Sequence, residues 1–240
     1  MVRFRSWAVS HPGAVRTHNE DNYVDRPDIG LWAVADGAGG HDAGEVASQM
    51  IAETLSSLPA GLSAAELLAQ VRLRITATHQ WLRDEAARRG PRSVIASTLV
   101  VLLARDGHFA CLWAGDSRIY LLRDGKLAQV TRDHSLVQEL VDAGTITAEE
   151  AEGHPRANVI TRAVGADCDP LELEKISGRL MVGDRFLLCS DGLNKTISDA
   201  ELVGLLGGEG VQSPSDRLIA EALSRRATDN VTAITVDTLS

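Results

Sequence analysis

The residues with most chemistry to offer in this sequence are aspartates placed where apolar, strand-like runs end. Leu31-Trp-Ala-Val-Ala35 runs into Asp36-Gly37, and Phe186-Leu-Leu-Cys-Ser190 runs into Asp191-Gly192. Leu112-Trp-Ala114 leads to Gly115-Asp116-Ser117, and Asp229-Asn230 directly precedes Val231-Thr-Ala-Ile-Thr-Val236. An Asp-Gly pair is ordinary turn chemistry. That reading suffices for Arg105-Asp106-Gly107 and Arg123-Asp124-Gly125. The other four stand in richer surroundings. Asp36-Gly37-Ala38-Gly39-Gly40-His41 holds more glycine than one turn needs, and such a loop lets carbonyl oxygens and a ligand approach closely. Hard divalent cations take oxygen from carboxylates, carbonyls and water. Clustered acids repel one another unless cations or solvent neutralise them, so the pattern fits either a metal centre or a solvated face. Upstream lies Arg16-Thr-His-Asn19-Glu20-Asp21-Asn22. Its arginine can offer a planar fork to a phosphate while Glu20 and Asp21 face a cation. Alone, such a charged loop is more often simply solvated.

Strands must position these acids. Phe4 to Ser10 and Leu31 to Ala35 read as the first two. Glu45 to Leu58 follows as a helix, with Val46, Met50 and Leu58 at helical spacing. Ser63-Ala-Ala-Glu66 is a capping box that opens a second helix, which sets Leu67, Leu68, Val71, Ile75 and Leu82 on one side and stops at Gly90-Pro91. The middle reads as a meander: Ser97 to Ala104, His108 to Ala114, Arg118 to Leu122 and Lys126 to Val130, with the two Arg-Asp-Gly turns inside its hairpins. His134 to Gly153 is mostly helical, with Thr147 to Glu150 as a capping box. Arg185 to Cys189 is a strand, Ser198 and Ser213-Pro214 open two helices, and Val231 to Val236 is the last strand. Clustered helices between hairpin-joined strands argue for antiparallel sheets with helices outside, an α+β fold.

Composition narrows the function. The chain has 240 residues, 44% of them apolar and 24% charged, which suits a globular chain able to bury a core without disulfides or a structural metal. Against 24 Lys and Arg stand 33 Asp and Glu, a net charge of -9. That balance disfavours nucleic acid and anionic membrane as partners and favours cations. The longest strongly apolar run, Leu99 to Ala104, is too short to cross a bilayer. The first residues show no signal-peptide core, so a cytoplasmic location is expected. Cys111, Cys168 and Cys189 form no Cys-x-x-Cys pair and read as reduced core residues.

Eight segments, taken in order, resemble the bacterial stand-alone members of the PP2C (PPM) family of metal-dependent serine/threonine protein phosphatases. They are Arg16 to Asp21, Val34 to His41, Ser97-Thr98, Gly115 to Arg118, Thr131 to Ser135, Ile160 to Gly165, Ser190 to Leu193 and Asp229 to Thr232. The resemblance implies one domain over residues 1–240, a four-layer α-β-β-α sandwich with two central antiparallel sheets. A flap at about residues 137–158 would lie beside the cleft. It implies two Mn²⁺ or Mg²⁺ ions, with Asp36 bridging them. The Gly37 carbonyl, Asp191, Asp229 and Glu20 would complete the set, Asp21 would hold metal-bound water, and Arg16 would bind the phosphoryl oxygens. Asp116 would serve a weaker third metal. A metal-bridging hydroxide would attack phosphorus directly. The implied partners are phosphorylated proteins shared with a separately encoded Ser/Thr kinase, and the implied state is a monomer. A phosphoprotein-binding module with a degenerate cleft and a small-molecule phosphatase are the competing readings. Two positions depart from the family. Ala38 stands where many members carry a histidine proposed as general acid, leaving a water or His41 for that task, unless His41 caps the following helix. Lys195 stands where members usually carry an aspartate that helps hold the third metal.

Overall fold

The computed structural model describes residues 3–39, 43–167, 170–208 and 211–240, with only the backbone of Glu152. His41 and Cys168 lie outside these residues. Three strands come first, β1 (Arg3–His11), β2 (Asp21–Arg26) and β3 (Leu31–Ala38), then two helices, α1 (Ala43–Ser56) and α2 (Ala64–Arg89). A two-residue strand, β4 (Ala96–Ser97), precedes the meander β5 (Leu99–Arg105), β6 (His108–Ala114), β7 (Arg118–Arg123) and β8 (Lys126–Gln129). Short helices α3 (Leu136–Asp142) and α4 (Ala148–Glu152) lead to β9 (Glu174–Arg179) and β10 (Arg185–Cys189). Helices α5 (Asp191–Asn194), α6 (Asp199–Gly207) and α7 (Pro214–Ser224) precede β11 (Val231–Leu239).

The strands form two antiparallel sheets, in the orders β1-β11-β10-β7-β8 and β2-β3-β5-β6-β9, with β4 added to β3. The nearly continuous apolar strands are explained by burial on both faces. In β3 and β5, Leu31, Ala33, Leu99, Val101 and Leu103 pack outward under α1 and α2. Their alternates Trp32, Val34, Val100 and Leu102 pack inward against Phe186, Leu188, Ile234 and Val236 of the other sheet. On that sheet's far side, Leu187, Cys189 and Ala233 meet Leu202, Leu206 and Leu218 of α6 and α7. The result is the expected helix-sheet-sheet-helix order. Burying each large side chain contributes about 1.5–3 kcal/mol, so the inter-sheet layer holds the two halves of the site in register. Asp25 adds a polar tie there, accepting from Trp32 Nε1 at 2.9 Å and from Ser6 Oγ at 2.6 Å.

The capping boxes at Ser63, Thr147 and Ser198 are present, and Ser213 caps α7 with Pro214 in its first turn. Asp106 and Asp124 have φ of 52° and 50°, followed by Gly107 and Gly125 at 74°, as two-residue hairpin turns require. Cys111 and Cys189 are free and buried. Four expectations need correction. The buried stripe of α1 is Ala47, Ile51 and Leu55, while Val46 and Met50 only flank it. The strand expected from Ser97 is broken at Thr98. β2 and β9 add two strands to those expected; their sequences, Asp21-Asn-Tyr-Val-Asp-Arg26 and Glu174-Lys-Ile-Ser-Gly-Arg179, lack the apolar runs that mark the others. Both are edge strands of one sheet, where charge is tolerated and protective. Asp36 and Gly37 lie within β3, which continues to Ala38, rather than beyond its end.

Candidate active site

The sheet register brings the acids to one end of the sandwich. Asp21 opens β2 and pairs with Asp36 of β3. Asp116 follows β6, Asp191 follows β10, and Asp229 precedes β11. The backbone of Asp36 is fixed by the interruption at Thr98. Asp36 N donates to Thr98 Oγ1 at 3.1 Å, while Thr98 N and Ser97 Oγ donate to Asp36 O at 2.9 Å each. Thr98 Oγ1 also shares a 2.7 Å hydrogen bond with Ser117 Oγ, tying Asp36 to the turn that carries Asp116. That turn is clamped by His134, whose Nδ1 accepts from Gly115 N at 3.1 Å and whose ring stacks on Trp113.

Gly37 allows α1 to approach. A Cβ at Gly37 would stand 2.3 Å from Gly44 O, so the position excludes any side chain. Gly37 N donates to Glu20 O at 3.2 Å, and a Cβ on Gly44 would stand 2.9 Å from Glu20 Oε2. Glu20 is further anchored from its own backbone N–H to Asn230 Oδ1 at 2.8 Å. Asn230 Nδ2 donates to the carbonyls of Pro12 and His18, so this one side chain moors the Arg16 loop beside Asp229.

The electrostatics are those of crowded acids. Asp36 is held well above its ordinary value by burial first, then by the charges of Asp21, Asp191, Asp116 and Asp229. Asp21 rises to about 7, again through burial, with Ser190 and Thr232 opposing and Asp191 and Asp229 adding. Its Oδ2 accepts from Ser190 Oγ and Thr232 Oγ1, each at 2.7 Å, while its buried Oδ1 has no partner. Asp116 rises to about 7 through burial and Asp191, and its Oδ1 is likewise buried and unpartnered.

Two cations of the protein answer these acids. Lys195 Nζ donates to Asp191 Oδ2 at 2.5 Å and to Asn158 Oδ1 at 2.7 Å, and lies 3.9 Å from Asp116 Oδ2. Burial pulls the ammonium down, but Asp191, then Asp116 and Asp36, hold it above its ordinary range. Lys195 therefore does approach Asp116, as its position in the sequence implies, yet its closer partner is Asp191. Asn158, the last residue of the expected flap, shares the same ammonium. Arg16 contacts Asp229 through Nη2 and Nε, both at 3.1 Å. Among the described residues no three acidic or imidazole side chains converge as a ready-made cation cage. The expected ligands thus share one end of the molecule, with Asp191 and Asp229 turned toward Lys195 and Arg16.

The donor set nevertheless fits hard divalent cations. It is all oxygen, it is crowded with like charge, and it holds two buried carboxylate oxygens with no hydrogen bond. Ser190, Thr232, Asn230 and His134 lay inside the motif segments but received no role from sequence. Their work is done by hydroxyl, amide and ring contacts across strands, which spacing does not reveal.

Fold and site together define a four-layer sandwich with an acid cluster at one end of its paired sheets. The chain belongs to the protein phosphatase 2C family, which it matches over residues 14–231. It is 38% identical over 96% of its length to the serine/threonine protein phosphatase PstP of Mycobacterium tuberculosis, and spans 44% of that protein. The structure of PppA, described as a key regulatory component of T6SS in Pseudomonas aeruginosa, shares 44% identity. It has a TM-score of 0.90, over 99% of this chain and 98% of that one. The catalytic domain of PstP in complex with 2 manganese ions superposes with a TM-score of 0.85 at 37% identity, covering 100% of both chains. Among the described residues no helix is long and apolar enough to cross a membrane.

Proposed function

We propose that this chain is a Mn²⁺- or Mg²⁺-dependent phosphatase that hydrolyses phosphoserine and phosphothreonine in proteins modified by a separate kinase. The observation that carries this reading is that separate elements bring Asp21, Asp36, Asp116, Asp191 and Asp229 to one end of the sheets, where the other four each raise the pKa of Asp36. When bound, two such ions supply Lewis acidity toward the phosphoryl oxygens and an activated water. Asp36, central to the cluster, is the carboxylate suited to both ions. The Gly37 carbonyl, Glu20, Asp191 and Asp229 are the remaining donors. Asp21 keeps Oδ2 locked on Ser190 and Thr232, leaving Oδ1 to hold and orient a water. Arg16 is exposed on the rim, and its fork suits two phosphoryl oxygens. With Ala38 after the Asp-Gly pair, this chain offers no imidazole at that position. A water in the cleft is left to protonate the departing serine or threonine oxygen.

The test is phosphate release from a phosphothreonine peptide by metal-stripped protein with and without added Mn²⁺. Release is expected only with the cation. Equal release in the presence of a strong chelator would overturn the proposal. Tight peptide binding without turnover would favour a phosphoprotein-binding module instead.

A further inference from the structure

Far from the acid cluster, three basic side chains stand in one row across a sheet. Arg105 of β5 is opposite His108 of β6, and His108 is opposite Arg179 of β9. The three share the outer face, on which α2 lies. Two guanidiniums on either side of an imidazole leave this row without a counter-charge, which a bound anion supplies. The next row on this face is Leu103, Ala110 and Ser177, and Lys175 stands one row further on. With Ala65 and Leu68 in the first turns of α2, these residues line an open groove of about 470 Å³. No acidic residue lines it, although the chain carries a net charge of -9. Among the described residues no carboxylate pairs with Arg105, Lys175 or Arg179. Arg118, Arg123 and Arg185 elsewhere are each engaged by a carboxylate, and Arg225 by two.

We propose that this groove docks an acidic, extended polypeptide segment carrying an apolar anchor residue. Carboxylates of the segment meet Arg105, Arg179 and Lys175, and the anchor rests on Leu103 and Ala110 against Leu68. β9 ends its sheet, so its outer edge is open to backbone pairing with an added strand. An apolar floor and an overall negative chain disfavour a nucleic acid, whose binding rests on phosphate neutralisation. Arg105 ends β5, and Thr98 immediately precedes its other end. At about 3.3 Å per residue the groove is roughly 20 Å from the acid cluster, so a docked segment leaves the cleft open. The inference does not depend on the proposed activity.

The experiment is fluorescence anisotropy with the full chain and a fluorescein-labelled peptide in which glutamates alternate with valines around one phenylalanine. Saturable binding that weakens with salt is expected. Affinity is expected to fall at least tenfold in Arg105→Gln/Arg179→Gln, and also in Ala65→Trp, which fills the groove without changing charge. Thermal melting of each variant confirms that it is folded. Absence of saturable binding overturns the proposal, as does undiminished affinity in folded Arg105→Gln/Arg179→Gln. Equal binding of the lysine-for-glutamate peptide, or tighter binding of a single-stranded oligonucleotide at the same groove, also overturns it.

Discussion

Asp21 and Asp36 stand directly opposite each other in the β2–β3 ladder, two carboxylates facing one another across adjacent strands. Like charges in that relation oppose sheet formation, and here burial removes the water that would screen them. The pairing brings oxygen donors together, and its energetic cost is the first thing a stability measurement should detect.

The metal-free protein is expected to lose stability as pH rises. Asp21 and Asp116 bind protons more tightly folded, at about 7, than at their ordinary value of 3.8. Between those values the folded state holds more protons than the unfolded one, so the free energy of unfolding falls with pH. Below about pH 4 both states are protonated and the penalty vanishes. Above about 7 it is complete. Melting in chelator from pH 5 to 8 should show a decline of several degrees, which Asp21→Asn flattens. A melting temperature that climbs across this window would contradict the assignment of Asp21 and Asp116 as strained acids.

Asp36→Asn and Asp191→Asn separate stability from chemistry. Asp36→Asn relieves the crowded cluster, so its metal-free stability is expected to hold or rise, whereas Asp191→Asn also gives up the Lys195 ion pair and is expected to gain less. Turnover in saturating Mn²⁺ is expected to fall by orders of magnitude. Near-wild-type turnover in either purified variant would remove these residues from the proposed ligand set.

Much of this was legible in the sequence because the acids lie at the ends of runs that must be strands. Leu31 to Ala35 and Phe186 to Cys189 are apolar on both faces and carry Asp36 and Asp191 to the same edge. β2 was illegible because an edge strand with Asp21 and Asp25 needs no apolar alternation. The pairing of Asp21 with Asp36 is therefore a fact of register, which polar spacing cannot supply. Lys195 was legible as an anomaly of type. Its preference for Asp191 over Asp116 depends on an i,i+4 geometry that exists only once α5 forms.

Arg16 should act on both substrate and cation. Removing one charge-assisted contact costs about 1.5–3 kcal/mol, or roughly one to two decades in kcat/KM. Arg16→Ala is expected to show that loss, and Arg16→Lys only a partial recovery, because an ammonium lacks the fork. The same substitution frees Asp229 from its two contacts, so Mn²⁺ affinity measured by calorimetry is expected to hold or tighten. An unchanged kcat/KM accompanied by weaker Mn²⁺ binding would make Arg16 a support for Asp229 rather than a phosphate ligand.

Lys195 is expected to decide whether a third cation binds beside Asp116. Its ammonium is 3.9 Å from Asp116 Oδ2 and hydrogen-bonds Asp191, so a divalent ion at Asp116 meets a fixed positive charge. Weak third-site occupancy is therefore expected in the wild type. Lys195→Asp replaces that charge with a donor and is expected to tighten the third site in a calorimetric Mn²⁺ titration with the two core sites filled. Adding Asp116→Ala should reverse the gain. The ammonium also holds Asn158 at 2.7 Å. Amide exchange over residues 154–158 is accordingly expected to quicken in Lys195→Asp, and to quicken in Asn158→Ala without any change in third-site affinity. An unchanged third-site affinity in Lys195→Asp would show that the barrier lies elsewhere in the cluster, even if the exchange result held.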